Sequence, residues 1–335
     1  MPPIINLLAS GYTNKDRKEG ICLLRLEQNR LIMTDAISAG ENPSYLISDG
    51  KGYYYAANET NEKCSISVCT SDSEGIKLQK QWHSIGNGVC HLSYEKNNGF
   101  LFASCYGNGD VVCFDTKTGN VIGSFLPEES RDAHAHGTAI SRNGKWLFSV
   151  DLGLDRIYAF RMEAVKNGIM EPETCLMLSK GTGPRQLITS RTEGYLYCVN
   201  ELESSVKMIT YDDETGEQSL LKTTGVSNKK LLQGQNYPGT AAISNNEKYL
   251  FVPNRGANTI SVFDTSKKDL KLIFECDCMG DWPRYLMLTE NEKYLLAANQ
   301  RSGNVVLFSF HEGNKKLLSY LDSIQVPEVS CIIEI

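Results

Sequence analysis

The chain has 335 residues, 41% of them hydrophobic and 22% charged, with a formal net charge of −6. That length and apolar share are ample for a buried core, while the acidic balance, without runs of basic residues, removes the counterion-release drive toward nucleic acid. No stretch approaches the roughly 20 consecutive apolar residues of a membrane-spanning helix, and the opening MPPIINLLASGYT, with no basic n-region and an apolar run broken by Asn6, does not read as a secretory signal, so a cytoplasmic location is expected.

From the N-terminus, INLLASGYTNKDRKEGICLLRLE reads as two strands and NRLIMTDAIS as a third, outer one. Six segments then repeat one pattern: NPSYLISDGKGYYYAANE, GVCHLSYEKNNGFLFASCY, AHAHGTAISRNGKWLFSVDL, GPRQLITSRTEGYLYCVNE, YPGTAAISNNEKYLFVPNR and WPRYLMLTENEKYLLAANQ. Each is followed by another apolar run, such as SISVCT, DVVCFDT or NVVLFSF. The equivalent positions Asn58, Cys105, Asp151, Asn200, Asn254 and Asn299 are spaced by 47, 46, 49, 54 and 45 residues. A period of about 40–50 residues is that of a propeller blade. The turns SDGKG, SRNGK and SNNEK carry hairpin chemistry. The strands are rich in aromatic and β-branched residues, and no ten-residue segment shows a helical period.

The N-terminal segment lacks an innermost strand, and the chain ends on one, VPEVSCIIEI, with Pro327 in the place of Pro184, Pro238 and Pro283. The expected fold is all-β: a seven-bladed β-propeller of four-stranded antiparallel blades, one domain over residues 1–335. Pairing of the N- and C-terminal strands would close it and remove an exposed edge. A WD40 propeller is disfavoured, since the Trp-Asp pair is absent and Asp281-Trp282 runs in reverse order. The 11 cysteines are scattered without C-x-x-C spacing. Cys113 and Cys198 fall inside apolar strand patterns, so the thiols are expected to be small buried hydrophobes of a reducing cytosol, not zinc ligands.

The innermost and second strands of a blade are antiparallel, so the start of the first and the end of the second meet at one rim. That window holds His136, Arg185, Arg284, Glu201, Arg255 and Gln300, with His134, His91, Asp151 and Asn254 close by. Arg185 and Glu201 are 16 residues apart, yet the hairpin sets them side by side. Converging guanidinium groups suit a small anionic ligand, and an adjacent Glu and His can move protons near neutral pH. The plainer readings are an Arg185–Glu201 salt bridge, a capping His136 and solvated rim charges at Arg255 and Arg284. Their gathering in consecutive blades on one rim favours a site. His83 and His311 fall outside the window and read as surface or packing residues. No G-x-S-x-G, Walker or H-E-x-x-H motif occurs, and the G-N-G at 86–88 has no helix after it. Neither a metal nor a cofactor is expected.

The segments DAHAHGTAISRNGKWLFSVDLGLDRIYAF, GTGPRQLITSRTEGYLYCVNE, YPGTAAISNNEKYLFVPNRGANTISVF and GDWPRYLMLTENEKYLLAANQRSGNVVLF resemble the propeller lactonase family. That family includes cycloisomerase-type 6-phosphogluconolactonases and fungal 3-carboxy-cis,cis-muconate lactonizing enzymes. The resemblance covers nearly the whole chain and is densest from about residue 130 to 310. It implies seven blades and a metal-free site at the channel mouth. His136 of HAHG, Arg185 of GTGPR, Glu201 of VNE and Arg255 of PNRG would be catalytic. His134, His91, Asp151, Arg284 and Gln300 would bind substrate. The implied activity is hydrolysis of a phosphorylated sugar lactone, with carboxymuconate cycloisomerisation as the alternative chemistry and a non-catalytic binding propeller as the alternative class. Thr138 after HAHG and Cys105-Tyr106 in the second blade depart from the family pattern.

Overall fold

A computed structural model describes residues 4–72, 75–129, 131–192, 194–227, 235–266 and 269–335. The first three residues of the opening segment lie outside them. By internal contacts the chain forms two compact units: Met1–Ala56, Ser67–Gln81 and Val226–Ile335, then Ala57–Ile66 and Trp82–Gly225.

In the first unit, β1 (Ile5–Gly11), β2 (Ile21–Glu27) and β3 (Arg30–Ile37) follow in order, and β29 (Val329–Glu334) adds inside them, giving the sheet β29-β1-β2-β3. β29 runs antiparallel to β1, with Ser10 opposite Cys331 and Leu7 opposite Glu334. The terminal strands therefore pair as expected. One detail differs. Gly11 pairs with Val329 as Asn200 pairs with Pro184, so Val329 holds the position assigned to Pro327. Pro327 lies upstream in a turn that crosses close over Gly11, where an added Cβ would stand 2.3 Å from the Glu328 carbonyl oxygen. Only glycine admits that approach.

The next sheet is β4 (Pro43–Ser48), β5 (Tyr53–Asn58), β6 (Cys64–Asp72) and β7 (Gly75–Ser84). Three sheets of the second unit follow: β8 (Val89–Glu95) to β11 (Val121–Phe125), β12 (Ala135–Ile140) to β15 (Thr174–Met177), and β16 (Pro184–Thr189) to β19 (Gln218–Gly225). The first unit then resumes with β20 (Tyr237–Pro238) to β24 (Lys271–Asp277) and β25 (Pro283–Leu288) to β28 (Leu318–Gln325). In the former, the innermost strand is split into β20 and β21 (Ala242–Ile243), both paired to β22 (Tyr249–Arg255). Each of the seven sheets is antiparallel and meanders from inside outward. One five-residue helix, α1 (Met162–Lys166), follows β14 (Arg156–Arg161) and buries Met162 and Val165.

A middle strand is apolar on both faces where sheets pack on each side of it, as on β13 (Trp146–Asp151), whose Leu147 clusters with Phe102 on one face while Phe148 clusters with Leu196 on the other. β9 (Phe100–Cys105), β13 and β22 are buried throughout, whereas the outer β3, β15 and β19 are largely open to solvent. Within the second unit, Trp146, Phe148 and Ile157 pack on Leu187, Leu196 and Ile209. Nine of the eleven thiols are buried.

The repeat has a structural cause at its marker residue. Asn200 and Asn299 end the second strand of their blades and Asn254 is the last residue but one of its own, all three fully buried. Asn200 Nδ2 donates to Ser205 Oγ at 2.9 Å, Asn254 Nδ2 to Ser261 Oγ at 2.8 Å and Asn299 Nδ2 to the Cys278 carbonyl at 3.2 Å. A short amide satisfies the buried turn where an apolar side chain would leave it unpaired.

Candidate active site

Four residues at the start of innermost strands, three of them from the predicted window, share a backbone irregularity. Pairing skips Cys90 between Val89 and His91, His136 between Ala135 and Gly137, Arg185 between Pro184 and Gln186, and Arg284 between Pro283 and Tyr285. Each is the extra residue of a β-bulge, a device that frees one residue from the ladder and re-aims its side chain.

In the second unit this brings three predicted residues together. Arg185 Nη1 donates to Glu201 Oε2 at 2.8 Å and also to His136 Nε2. Accepting at Nε2 makes His136 the neutral imidazole with its proton on Nδ1. Arg185 and His136 are buried, whereas the Glu201 side chain is 19% exposed. Glu201 is set by the GTGP loop: its N–H donates to the Gly183 carbonyl at 2.7 Å, and the Gly183 N–H donates to Asp155 Oδ1 at 2.7 Å. Gly183 has φ +60°, and a Cβ there would meet Leu202 at 2.4 Å. Arg185 Nε is buried without a hydrogen-bond partner.

Around the trio, His134 Nδ1 lies 2.7 Å from the Tyr106 carbonyl oxygen, and its ring stacks on Tyr106 at 4.4 Å. Tyr106 also meets the His136 ring edge-on at 5.7 Å. Burial, then the Glu201 charge, pushes the Tyr106 phenol up. Asp151 works through the backbone. Its Oδ1 accepts from the N–H groups of His134 and Leu154, each at 2.9 Å, and burial raises its carboxyl.

His91 is buried. Its Nδ1 accepts from the Thr138 N–H at 3.4 Å, and burial, then the Arg185 charge, lowers it from 6.5 to about 3. It is neutral in the working range. The unfolded chain takes up that proton near pH 6.5 and the folded one only near 3. This share of stability is complete above 6.5 and is lost as pH falls through the window, by about 1.4 kcal/mol per pH unit. Urea unfolding of the protein and of His91→Gln should show the slope in the former and its loss in the latter.

The first unit holds the other predicted residues. Arg255 is buried, its Nε donating to the Tyr237 carbonyl at 2.7 Å and its Nη2 to that of Pro238 at 3.1 Å. Arg284 Nη2 donates to the Tyr12 hydroxyl at 2.7 Å, and its Nη1 lies 3.5 Å from Gln300 Oε1. Sequence reasoning passed over Tyr106 and, in this unit, Trp282 and Arg301. The available signal was position alone, just after or just before the second and first strands. Among the described residues no group of three or more His, Cys, Asp or Glu side chains is placed to hold a metal ion.

Seven antiparallel sheets that meander through four strand positions, three of them with a bulge that frees His136, Arg185 or Arg284 at the start of the innermost strand, define a seven-bladed propeller. The family described as lactonase, 7-bladed beta-propeller, matches residues 6–334, and the chain belongs to it. Among its relatives, 6-phosphogluconolactonase of Bacillus subtilis (strain 168) is 23% identical over 292 residues, 82% of each chain. A solved structure of a putative 6-phosphogluconolactonase from Bacteroides fragilis is similar with TM-score 0.86 and 23% identity, covering 100% of this chain and 98% of that one. The periplasmic gluconolactonase of Pseudomonas aeruginosa gives TM-score 0.88 at 22% identity, covering 99% of both chains.

Proposed function

We propose that the protein hydrolyses the lactone of a phosphorylated sugar acid, 6-phosphogluconolactone being the first candidate. The observation that carries this reading is the single Arg185 nitrogen shared by Glu201 and His136. The Bacillus subtilis relative bears the name of that activity. Glu201, the most exposed of the three, takes a proton from water as the water oxygen bonds to the lactone carbonyl carbon. The carbonyl electron pair moves onto oxygen, and the Arg185 guanidinium stabilises that oxyanion. Its unmet Nε donor accords with such a role, since a buried donor without a partner is costly. The tetrahedral centre then collapses, the ring C–O bond breaks, and Glu201 returns its proton to the departing alkoxide. His136, neutral and accepting from Arg185, keeps the guanidinium in place.

Freshly made 6-phosphogluconolactone should disappear faster with the purified protein than in buffer, followed by acid release at constant pH. Disappearance at the buffer rate would overturn the assignment.

A further inference from the structure

Arg301, two residues past the end of β26 (Tyr294–Asn299), is exposed and lies with its guanidinium carbon 3.4 Å from the centre of the Trp282 ring. Its backbone N–H donates to the Asp281 carbonyl at 3.2 Å. Its guanidinium forms no hydrogen bond or ion pair with any described residue. A guanidinium stacked on an aromatic face is held in orientation while all five of its donors stay free in the ring plane. That planar fork matches two oxygens of a phosphate.

The platform under it is built at a cost. Trp282 has φ +66°, a left-handed conformation unfavourable for a bulky side chain and typical of functional sites. Two bonds hold it there: the Trp282 N–H donates to Asn258 Oδ1 at 2.9 Å, and its carbonyl accepts from the Gln300 N–H at 3.0 Å. Arg255 lies over the same indole at 5.7 Å, and Arg284 is two residues further along the chain. Two guanidinium groups of one unit thus lie over Trp282. Arg255 and Arg284 are tied to carbonyl and hydroxyl oxygens, while Arg301 is unengaged.

We infer that Arg301 on Trp282, in the first unit, is a binding site for a phosphate monoester. The choice of a phosphorylated sugar acid as its ligand rests on the proposed function. The plain alternative is an arginine stem covering an aromatic ring. Arg301→Met retains that cover without the charge, and Arg301→Lys retains the charge without the fork. Calorimetric titration with 6-phosphogluconate, and with gluconate as the carboxylate lacking phosphate, separates the readings.

The wild-type protein should bind 6-phosphogluconate and bind gluconate at least about tenfold more weakly. Arg301→Met should lose about tenfold or more in affinity for 6-phosphogluconate, and Arg301→Lys should regain only part of it. Circular dichroism of both variants should match the parent, since the side chain is exposed. Wild-type affinity in Arg301→Met, equal binding of gluconate, or no binding of 6-phosphogluconate by the parent would each overturn the inference. Binding that depends on Arg301 in a protein without lactonase activity would leave the inference standing and remove the proposed function.

Discussion

Replacing Arg185 by Met is expected to lower kcat/KM for lactone hydrolysis by about 10²–10³-fold, most of it in kcat, because in the proposed mechanism the lost charge acts on the oxyanion of the transition state. Methionine fills most of the volume of the arginine stem, so the strand start in β16 keeps its packing. The Glu201 side chain is 19% exposed, so water can take the place of the missing partner. The structural penalty is therefore smaller than the 3–5 kcal/mol typical of stranding a fully buried charge. Glu201→Gln should lose activity to a similar degree by another route, since the amide keeps an acceptor for Arg185 Nη1 but cannot take a proton from water. Thermal unfolding followed by circular dichroism, alongside steady-state kinetics, tests both claims. Wild-type kinetics in either variant would remove that residue from the mechanism.

Much of this arrangement is written in the chain, and the limits are physical. The blade period is legible because most blades place a buried side-chain amide or carboxylate near the end of the second strand, and Asn200, Asn254 and Asn299 recur for that reason, with Cys105 the exception in the second repeat. The nearness of Arg185 and Glu201 is legible because a hairpin fixes which residues meet. The bulges are not, since the local sequences GVCH, AHG, GPRQ and WPRY have little in common. What they share is a skipped pairing of the ladder. Pro327 is misplaced by two residues because the turn over Gly11 uses the space left by a missing Cβ, which no repeat pattern encodes. Asp151 stands beside the predicted window but spends Oδ1 on two backbone amides. The Arg301–Trp282 stack runs between loops 19 residues apart. It depends on a left-handed backbone at a tryptophan, the reverse of what residue preference suggests.

Deleting residues 329–335 should prevent folding altogether. β29 is the innermost strand of its sheet and pairs with β1, and Val329, Cys331 and Ile332 are completely buried. Burial of such side chains is worth about 1.5–3 kcal/mol each for the aliphatic ones. The removed strand also takes its ladder with β1, from Leu7–Glu334 to Gly11–Val329, and the 2.7 Å bond from Ser330 Oγ to the Ser44 carbonyl. Together these approach the whole net stability of a typical domain, about 5–15 kcal/mol. The loss is worse than a sum of contacts. Leu7, Leu8 and Ala9 would become an open apolar edge with unpaired amides, a template for strand addition between molecules. The truncated protein should therefore accumulate as aggregate, whereas removal of Ile335 alone, only partly buried, should leave a soluble, cooperatively melting protein. Co-expression of the missing strand as a peptide should recover part of the soluble fraction. A truncated chain that stays soluble, with the parent's circular dichroism and a midpoint within a few degrees of it, would show that the terminal pairing seals an edge without holding the fold.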